Sequence, residues 1–297
     1  MHPFFILNHM NNNSNKITVL QAIQLSTGYL EEKGIESART NSELMLAHIM
    51  NCKRLELYLS FDRPLKEEEL VTLREFISRR GKYEPLQYIL GEVEFYGLNF
   101  KVDKRVLIPR PETELLIEEA INIAKNEKLE KLLDIGTGSG NIPIALAVNM
   151  PELKITSIDI SAEAIEVASN NAELNNVSQN ITFINSGIES FSVTEKFDMI
   201  ISNPPYVSSD DYSSLQKEIV EYEPKNAVTD NSDGLSFYNS ILARSNELLK
   251  PGGYILFEIA IDQSKSIKQI MAKNGFAEIR IIKDYQNIER IIVGKLQ

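Results

Sequence analysis

The sequence is poor in the residues that build covalent or metal-held folds. Cys52 is its one cysteine, so no disulfide can form within the chain, a pattern that suits a reducing cytoplasm. Its three histidines, His2, His9 and His48, stand far apart with no cysteine or carboxylate pattern beside them. That speaks against a zinc or two-metal centre, so the chemistry is expected to need no metal. No apolar run approaches the roughly 18–20 residues that cross a bilayer, so no membrane partner is expected. Positive charge is also scarce: 31 Lys and Arg stand against 42 Asp and Glu, a formal net charge of −11. Such a surface repels polyphosphate, so direct nucleic-acid binding is not expected. No Lys or Arg precedes the short apolar patch from Phe4 to Leu7, and a polar run to Asn15 follows it. That makes a poor secretion signal. Residues 1–16 read as a disordered extension.

What is present is the balance of a globular protein, 43% hydrophobic and 25% charged over 297 residues. The length fits one large domain or two modest ones. Thr18 with Gln21 has the form of a capping box, and Val19, Leu20 and Ile23 begin an apolar stripe. Gly34 is a plausible stop. Leu44, Leu46, Ile49 and Met50 mark a second helix, and Leu70, Leu73, Phe76 and Ile77 a third. Residues 17–90 therefore read as a small all-helical domain, either a cap on the larger part or a docking surface for a macromolecular substrate. Residues 91–105, with bulky side chains around Gly97, suggest a linking β-hairpin. From 106 to 297 the rhythm becomes strand, helix, strand. Lys131–Ile135, Lys154–Asp159, Ile181–Asn185, Phe197–Ser202 and Tyr254–Ile259 are short Ile-, Leu- and Phe-rich runs, most of them separated by helical patterns. That alternation predicts a parallel sheet covered by helices on both faces. Glu278–Lys283 and Glu289–Lys295 follow with only a short link, which predicts a terminal hairpin.

The first of these strands runs into Gly136-Thr137-Gly138-Ser139-Gly140, and a helix, Ile142 to Val148, follows. Glycines let the backbone turn tightly and approach a ligand. In an open α/β sheet, ligands sit at the carboxyl ends of the strands, where this loop falls. The spacing is Gly-x-Gly-x-Gly rather than the dinucleotide form, and no Gly-Lys-Ser/Thr marks a phosphate loop. Asp159 ends the next strand, 19 residues beyond Gly140. It is placed either to accept from two ribose hydroxyls or to serve as a helix N-terminal charge beside Ser161.

The fourth strand runs into Asn203-Pro204-Pro205-Tyr206. Two prolines fix φ and carry no N–H, so the chain leaves the strand stiff, with carbonyls free to accept. The Asn203 side-chain oxygen and the Pro204 backbone oxygen together offer two acceptors to one NH₂ group. Tyr206 offers a flat face for a planar amide or base.

These stretches resemble the HemK family, the peptide chain release factor glutamine methyltransferases, from about Ile17 onward. Pro85 to Gly91, Leu107 to Glu114, Asp134 to Gly140, Asp159 with Ile160, Asn203 to Tyr206, Glu223-Pro224, Asp233-Gly234-Leu235, Tyr238 and Glu258-Ile259 follow in family order. The resemblance implies a class I S-adenosylmethionine-dependent methyltransferase: a seven-stranded, Rossmann-like α/β sheet preceded by a small helical domain. It implies methyl transfer from S-adenosylmethionine to the glutamine side-chain nitrogen of a Gly-Gly-Gln motif in class I release factors. By matching motifs, Gly136, Thr137, Gly138, Ser139, Gly140 and Asp159 bind the cofactor, with Asn203 beside it and Ile188 near the adenine. Asn203, Pro204, Pro205 and Tyr206 hold the glutamine, and Arg110, Glu112 and Thr113 help wall the site. Ala260 stands where the family has glycine, and Asp230-Asn231-Ser232 where it has paired glycines. A related family that methylates a ribosomal protein shares the Asn-Pro-Pro-Tyr clamp. A DNA adenine-N6 methyltransferase is the more distant rival, since the clamp also suits an aromatic NH₂. It must extrude a base, and no basic recognition domain is evident. A catalytically dead cofactor-binding module is opposed by the intact Asn203 and Tyr206.

Overall fold

The computed structural model describes residues 16–297. All of the expected extension except Lys16 lies outside the described residues. The chain divides into two compact units, residues 16–91 with Lys217–Tyr222, and Glu92–Gln216 with Glu223–Gln297.

The first unit is helical: α1 (Val19–Glu32), α2 (Ala38–Ile49), a 3-10 turn Arg54–Leu59, α3 (Glu67–Arg80) and α4 (Leu86–Leu90). The Thr18 hydroxyl accepts from Gln21 N and the Gln21 side chain accepts from Thr18 N, so the capping box starts α1. Leu30, Met45, Leu46, Leu57 and Leu73 are fully buried together. Each contributes about 1.5–3 kcal/mol by leaving water. A buried carboxylate fastens the turn: Glu43 accepts from Arg39 Nε at 2.9 Å, Arg54 Nε at 2.7 Å and the Tyr58 hydroxyl at 3.0 Å. Lys217–Tyr222 also belongs to this unit, through Arg80 and Glu218 at 2.9 Å and the Tyr222 hydroxyl on Lys82 O at 2.8 Å.

The second unit begins with a hairpin, β1 (Glu92–Phe95) and β2 (Leu98–Lys101), followed by α5 (Glu114–Asn126) and β3 (Lys131–Ile135). Then come α6 (Asn141–Asn149), β4 (Lys154–Asp159), α7 (Ala162–Leu174), β5 (Ile181–Asn185) and β6 (Phe197–Ser202). Three short helices follow: α8 (Ser209–Tyr212), α9 (Lys217–Tyr222, grouped with the first unit) and α10 (Lys225–Val228). The chain closes with α11 (Ser236–Leu248), β7 (Leu249–Glu258), α12 (Ser264–Lys273), β8 (Phe276–Lys283) and β9 (Glu289–Leu296). The seven-stranded sheet has the order β5-β4-β3-β6-β7-β9-β8, parallel through β7, with β9 antiparallel to both β7 and β8. Apolar side chains fill both faces, because a parallel sheet wrapped by helices has no wet side. β7 starts five residues before the apolar run read from the sequence. Lys250 to Gly253 carry no apolar pattern, and the pairing jumps from Phe197↔Leu249 to Met199↔Tyr254.

Two features aim the sheet at a site. The chain leaves β3 toward β4 on one side, while β6 lies on the other, so β3 and β6 flank the reversal of strand order where α/β proteins open a crevice. The register then levels three strand ends. Ile135 pairs with Ser202, and Ser202 with Phe257. The next residues, Gly136, Asn203 and Glu258, therefore emerge side by side. The Ser202 hydroxyl locks that level by donating to Ile135 O at 2.6 Å.

Candidate active site

A cavity of about 290 Å³ opens at these strand ends, close to the lower bound of small-molecule sites. Residues of the second unit line it throughout, from Leu107 to Ile241. Of the residues singled out in the sequence, Gly136, Thr137, Gly138, Ser139, Asp159, Ile188, Asn203, Pro204, Pro205, Arg110 and Thr113 face it. Gly140, Glu112 and Tyr206 are not among its walls.

The glycine loop divides by role. All three glycines have positive φ, 77°, 53° and 80° for Gly136, Gly138 and Gly140. A Cβ on Gly136 or Gly138 would meet nothing within 4 Å, so these two leave space over the loop. A Cβ on Gly140 would come within 2.9 Å of Ile144 and 3.1 Å of Ala168. Gly140 therefore serves the close packing of α6 on α7. The loop is tied to the next strand by Gly136 N and Thr137 N, which donate to Ile158 O at 2.9 and 3.1 Å. Asp159 adds a second tie, accepting from Gly138 N through Oδ2 and from Ser161 N through Oδ1, each at 2.9 Å. It thus joins the loop to the start of α7, and burial raises its carboxyl above the usual range. Beneath the loop, Asp134 is fully buried beside the hydroxyls of Thr137 and Ser157, which favour its charged form without reaching full hydrogen-bond geometry. Burial pushes its carboxyl up to about 7.

Ile188 is held by a residue the sequence reading passed over. Arg244 of α11 donates through Nη1 to the carbonyls of Ile188 at 2.5 Å and Phe191 at 2.7 Å, which fixes the loop that carries Ile188 to the cavity. Arg110 is anchored in the same way. Its Nη2 lies 2.5 Å from Oε1 of the buried Glu223.

At the mouth of β6, Asn203 Nδ2 donates to Thr113 Oγ1 at 3.2 Å. The Thr113 hydroxyl donates to Glu258 Oε2 at 2.6 Å, and the Tyr206 hydroxyl donates to Glu258 Oε1 at 3.3 Å. Glu258 is buried, its main-chain oxygen accepts from the Tyr238 hydroxyl at 2.7 Å, and burial pushes its carboxyl up to about 7. Tyr206 is partly buried and packs against the apolar core of the sheet. Gly234 holds its main chain: with φ +81° it approaches so closely that a Cβ would lie 2.4 Å from Tyr206 O. The signal for Glu258 in the sequence is slight, one acid ending an otherwise apolar strand. Glu112 stands near enough for its charge to raise the Glu258 carboxyl further.

The cavity thus joins a backbone cradle to a free amide oxygen. No donor reaches Asn203 Oδ1 or Pro204 O among the described residues.

A family model described as PrmC N-terminal domain matches residues 21–91, and one described as methyltransferase domain matches residues 126–291. The chain is 41% identical over 278 residues to a release factor glutamine methyltransferase of Fusobacterium nucleatum, covering 93% of this chain and 78% of that one. It is 39% identical to a release factor glutamine methyltransferase of Geobacter sulfurreducens, covering 94% of this chain and 97% of that one. Among solved structures, the hMettl16 catalytic domain in complex with the MAT2A 3'UTR hairpin 6 aligns with a TM-score of 0.55 at 16% identity, covering 78% of this chain and 83% of that one. That likeness shows the class I methyltransferase fold. With the helical unit, the seven-stranded sheet and the Asn-Pro-Pro-Tyr mouth in one chain, this protein belongs to the release factor glutamine methyltransferase family.

Proposed function

We propose that this enzyme transfers a methyl group from S-adenosylmethionine to the side-chain nitrogen of a glutamine in a class I peptide chain release factor, within its Gly-Gly-Gln motif. The observation that carries the reading is the free Asn203 carboxamide oxygen beside the cavity roofed by the glycine loop. The residues fit a nucleoside ligand. Gly136 and Gly138 leave open the space that side chains would fill, Asp159 retains lone pairs for ribose hydroxyls, and Ile188 offers an apolar wall for the adenine. S-adenosylmethionine, when bound, supplies an electrophilic methyl on a sulfonium.

The protein's own part is positioning and electrostatics. An amide nitrogen is a weak nucleophile because its lone pair is delocalised into the carbonyl. Asn203 Oδ1 and Pro204 O accept one N–H each and so fix the direction in which that nitrogen faces. Holding reactants in such a geometry contributes roughly 7–11 kcal/mol. The two acceptors also stabilise the positive charge that builds on nitrogen, an interaction stronger in the transition state than before it. The proton leaves after transfer, so no strong base is needed. Arg110, Glu112 and Thr113 support this wall.

The first unit is the docking surface for the release factor in this reading, since it contributes nothing to the cavity wall. No helix among the described residues is long and apolar enough to cross a membrane. In this reading the enzyme works in the cytoplasm, where release factors act, and binds no nucleic acid directly. Intact-mass analysis of a class I release factor incubated with enzyme and S-adenosylmethionine should show one added methyl, and peptide mapping should place it on the Gly-Gly-Gln glutamine. A methyl on any other residue, or none, overturns the reading.

A further inference from the structure

We propose that Glu258 is a positioning residue for the transfer site: through Thr113 it fixes which end of the Asn203 carboxamide faces the substrate, and through Tyr206 it anchors the far end of the same loop. The inference rests on the proposed reading of the clamp and goes beyond it, because Glu258 is buried behind Thr113 and is not among the cavity's walls.

An ionised carboxylate only accepts. Thr113 Oγ1 lies 2.6 Å from Glu258 Oε2, so its one hydrogen points at Glu258. What Thr113 has left for Asn203, 3.2 Å away, is lone pairs. A carboxamide has an oxygen at one end and an NH₂ at the other, with nearly the same shape. Thr113 therefore selects the NH₂ end and leaves Oδ1 facing outward as an acceptor. Were the amide turned over, its NH₂ would face the substrate's NH₂, donor against donor, and the clamp would repel its ligand. The other carboxylate oxygen of Glu258 takes the Tyr206 hydroxyl, three residues along the chain from Asn203. One buried side chain thus holds the clamp at both ends.

A proton on Glu258 would reverse the relay. The carboxylic acid could donate to Thr113, Thr113 could donate to Asn203 Oδ1, and the NH₂ would then turn outward. Several groups face Glu258. Burial pushes its carboxyl up to about 7, and the charge of Glu112 pushes the same way. Thr113, Tyr206 and Arg290 of β9 oppose them, with Arg290 itself paired to Asp284 at 2.9 Å. The Tyr238 hydroxyl bonds only the main-chain oxygen. The working state is the ionised one, so the transfer step should lose rate as pH falls through about 7.

The test uses the full chain. Single-turnover transfer to a release factor is followed from pH 5.5 to 9 with both substrates saturating, alongside calorimetry with S-adenosylhomocysteine and thermal melts. Thr113→Val should lower the rate about 10-fold, the scale of one oriented hydrogen bond, with S-adenosylhomocysteine affinity changed less than about 2-fold. Thr113→Ser, which keeps the hydroxyl, should restore most of that loss. Glu258→Gln should lower the rate and abolish the acid limb. Tyr206→Phe removes a donor that favours the ionised form, so its acid limb should move to higher pH. A second readout needs no turnover: carbon-13 NMR of the Glu258 carboxyl in the free enzyme should show titration near 7, shifted upward in Thr113→Val and Tyr206→Phe. A folded Thr113→Val with wild-type rate and pH profile overturns the proposal, as does an acid limb that survives in Glu258→Gln. If wild-type enzyme puts no methyl on glutamine, the reading of the clamp fails instead, and the NMR titration still reports on the Glu258 network.

Discussion

Asn203 supports the sharpest expectation for a single side chain. It provides one of two acceptors at the point where positive charge develops, and such a positioned group is worth around 10²–10³ in rate. Asn203→Ala should therefore lower single-turnover transfer at least about 100-fold. Affinity for S-adenosylhomocysteine should fall far less, since the glycine loop, Asp159 and the Ile188 wall remain. Asp134 supports a different kind of prediction. Its carboxyl rises from near 4 in the unfolded chain to about 7 when folded, because burial outweighs the Thr137 and Ser157 hydroxyls that favour its charged form. The folded protein then binds the extra proton between those values. Its contribution to stability is intact below about 4 and is lost as pH rises through about 7. Asn at 134 cannot ionise. The Tm advantage of Asp134→Asn over wild type should grow between pH 5 and pH 8 by at least about 2 °C, the shift that about 1 kcal/mol produces in a protein of this size. Glu258 titrates in the same window but is common to both proteins, so it cancels. A gap that stays constant with pH would show that Asp134 is ionised throughout.

At the scale of elements, the loop between β3 and α6 lets two jobs of one motif be separated. Gly140→Ala puts a Cβ into Ile144 and Ala168 at a residue with φ +80°. Left-handed strain and overpacking together should cost about 2–4 kcal/mol of stability. Gly138→Ala, with φ +53° and nothing near its Cβ, should cost only about 1–2 kcal/mol. Its methyl would instead stand in the cavity and weaken cofactor binding. Melts and calorimetry on the two variants should give opposite rankings; equal loss of stability would remove the distinction. This loop was legible in the sequence because everything that specifies it is local: an apolar run, glycines at fixed spacing, a helix after them. The strand count and the terminal hairpin were legible for the same reason. The relay from Asn203 through Thr113 to Glu258 was not, since it joins residues 90 and 145 positions apart that meet only in the tertiary fold, the turn holding Thr113 lying against the ends of two strands. Tyr206 shows the same limit. Its ring suggested a stacking face, while its packing against the core and the bond from its hydroxyl to Glu258 left no sign in the sequence.

On the scale of the whole molecule, the chain returns to its first unit after the clamp. Residues 217–222 belong with residues 16–91, held there by Arg80 and the Tyr222 hydroxyl. No local pattern in the sequence marks that return. It also bears on how docking should be tested, because deleting the first 91 residues would strip α9 of its partners and could harm catalysis for reasons unrelated to binding. Substitution at exposed positions avoids the problem. Leu55 and Leu59 of the 3-10 turn are among the most exposed large apolar side chains, so replacing them leaves the core of that unit intact. If the first unit docks the release factor, the double substitution Leu55→Glu and Leu59→Glu should raise KM for the intact factor at least about 5-fold while leaving kcat near wild type. On a short peptide carrying Gly-Gly-Gln, which has no surface to offer that unit, both constants should be unchanged. The comparison is a ratio of two substrates on one protein, so a general loss of active enzyme cancels. An equal change on factor and peptide would place the effect in the catalytic unit and remove the docking role from this surface.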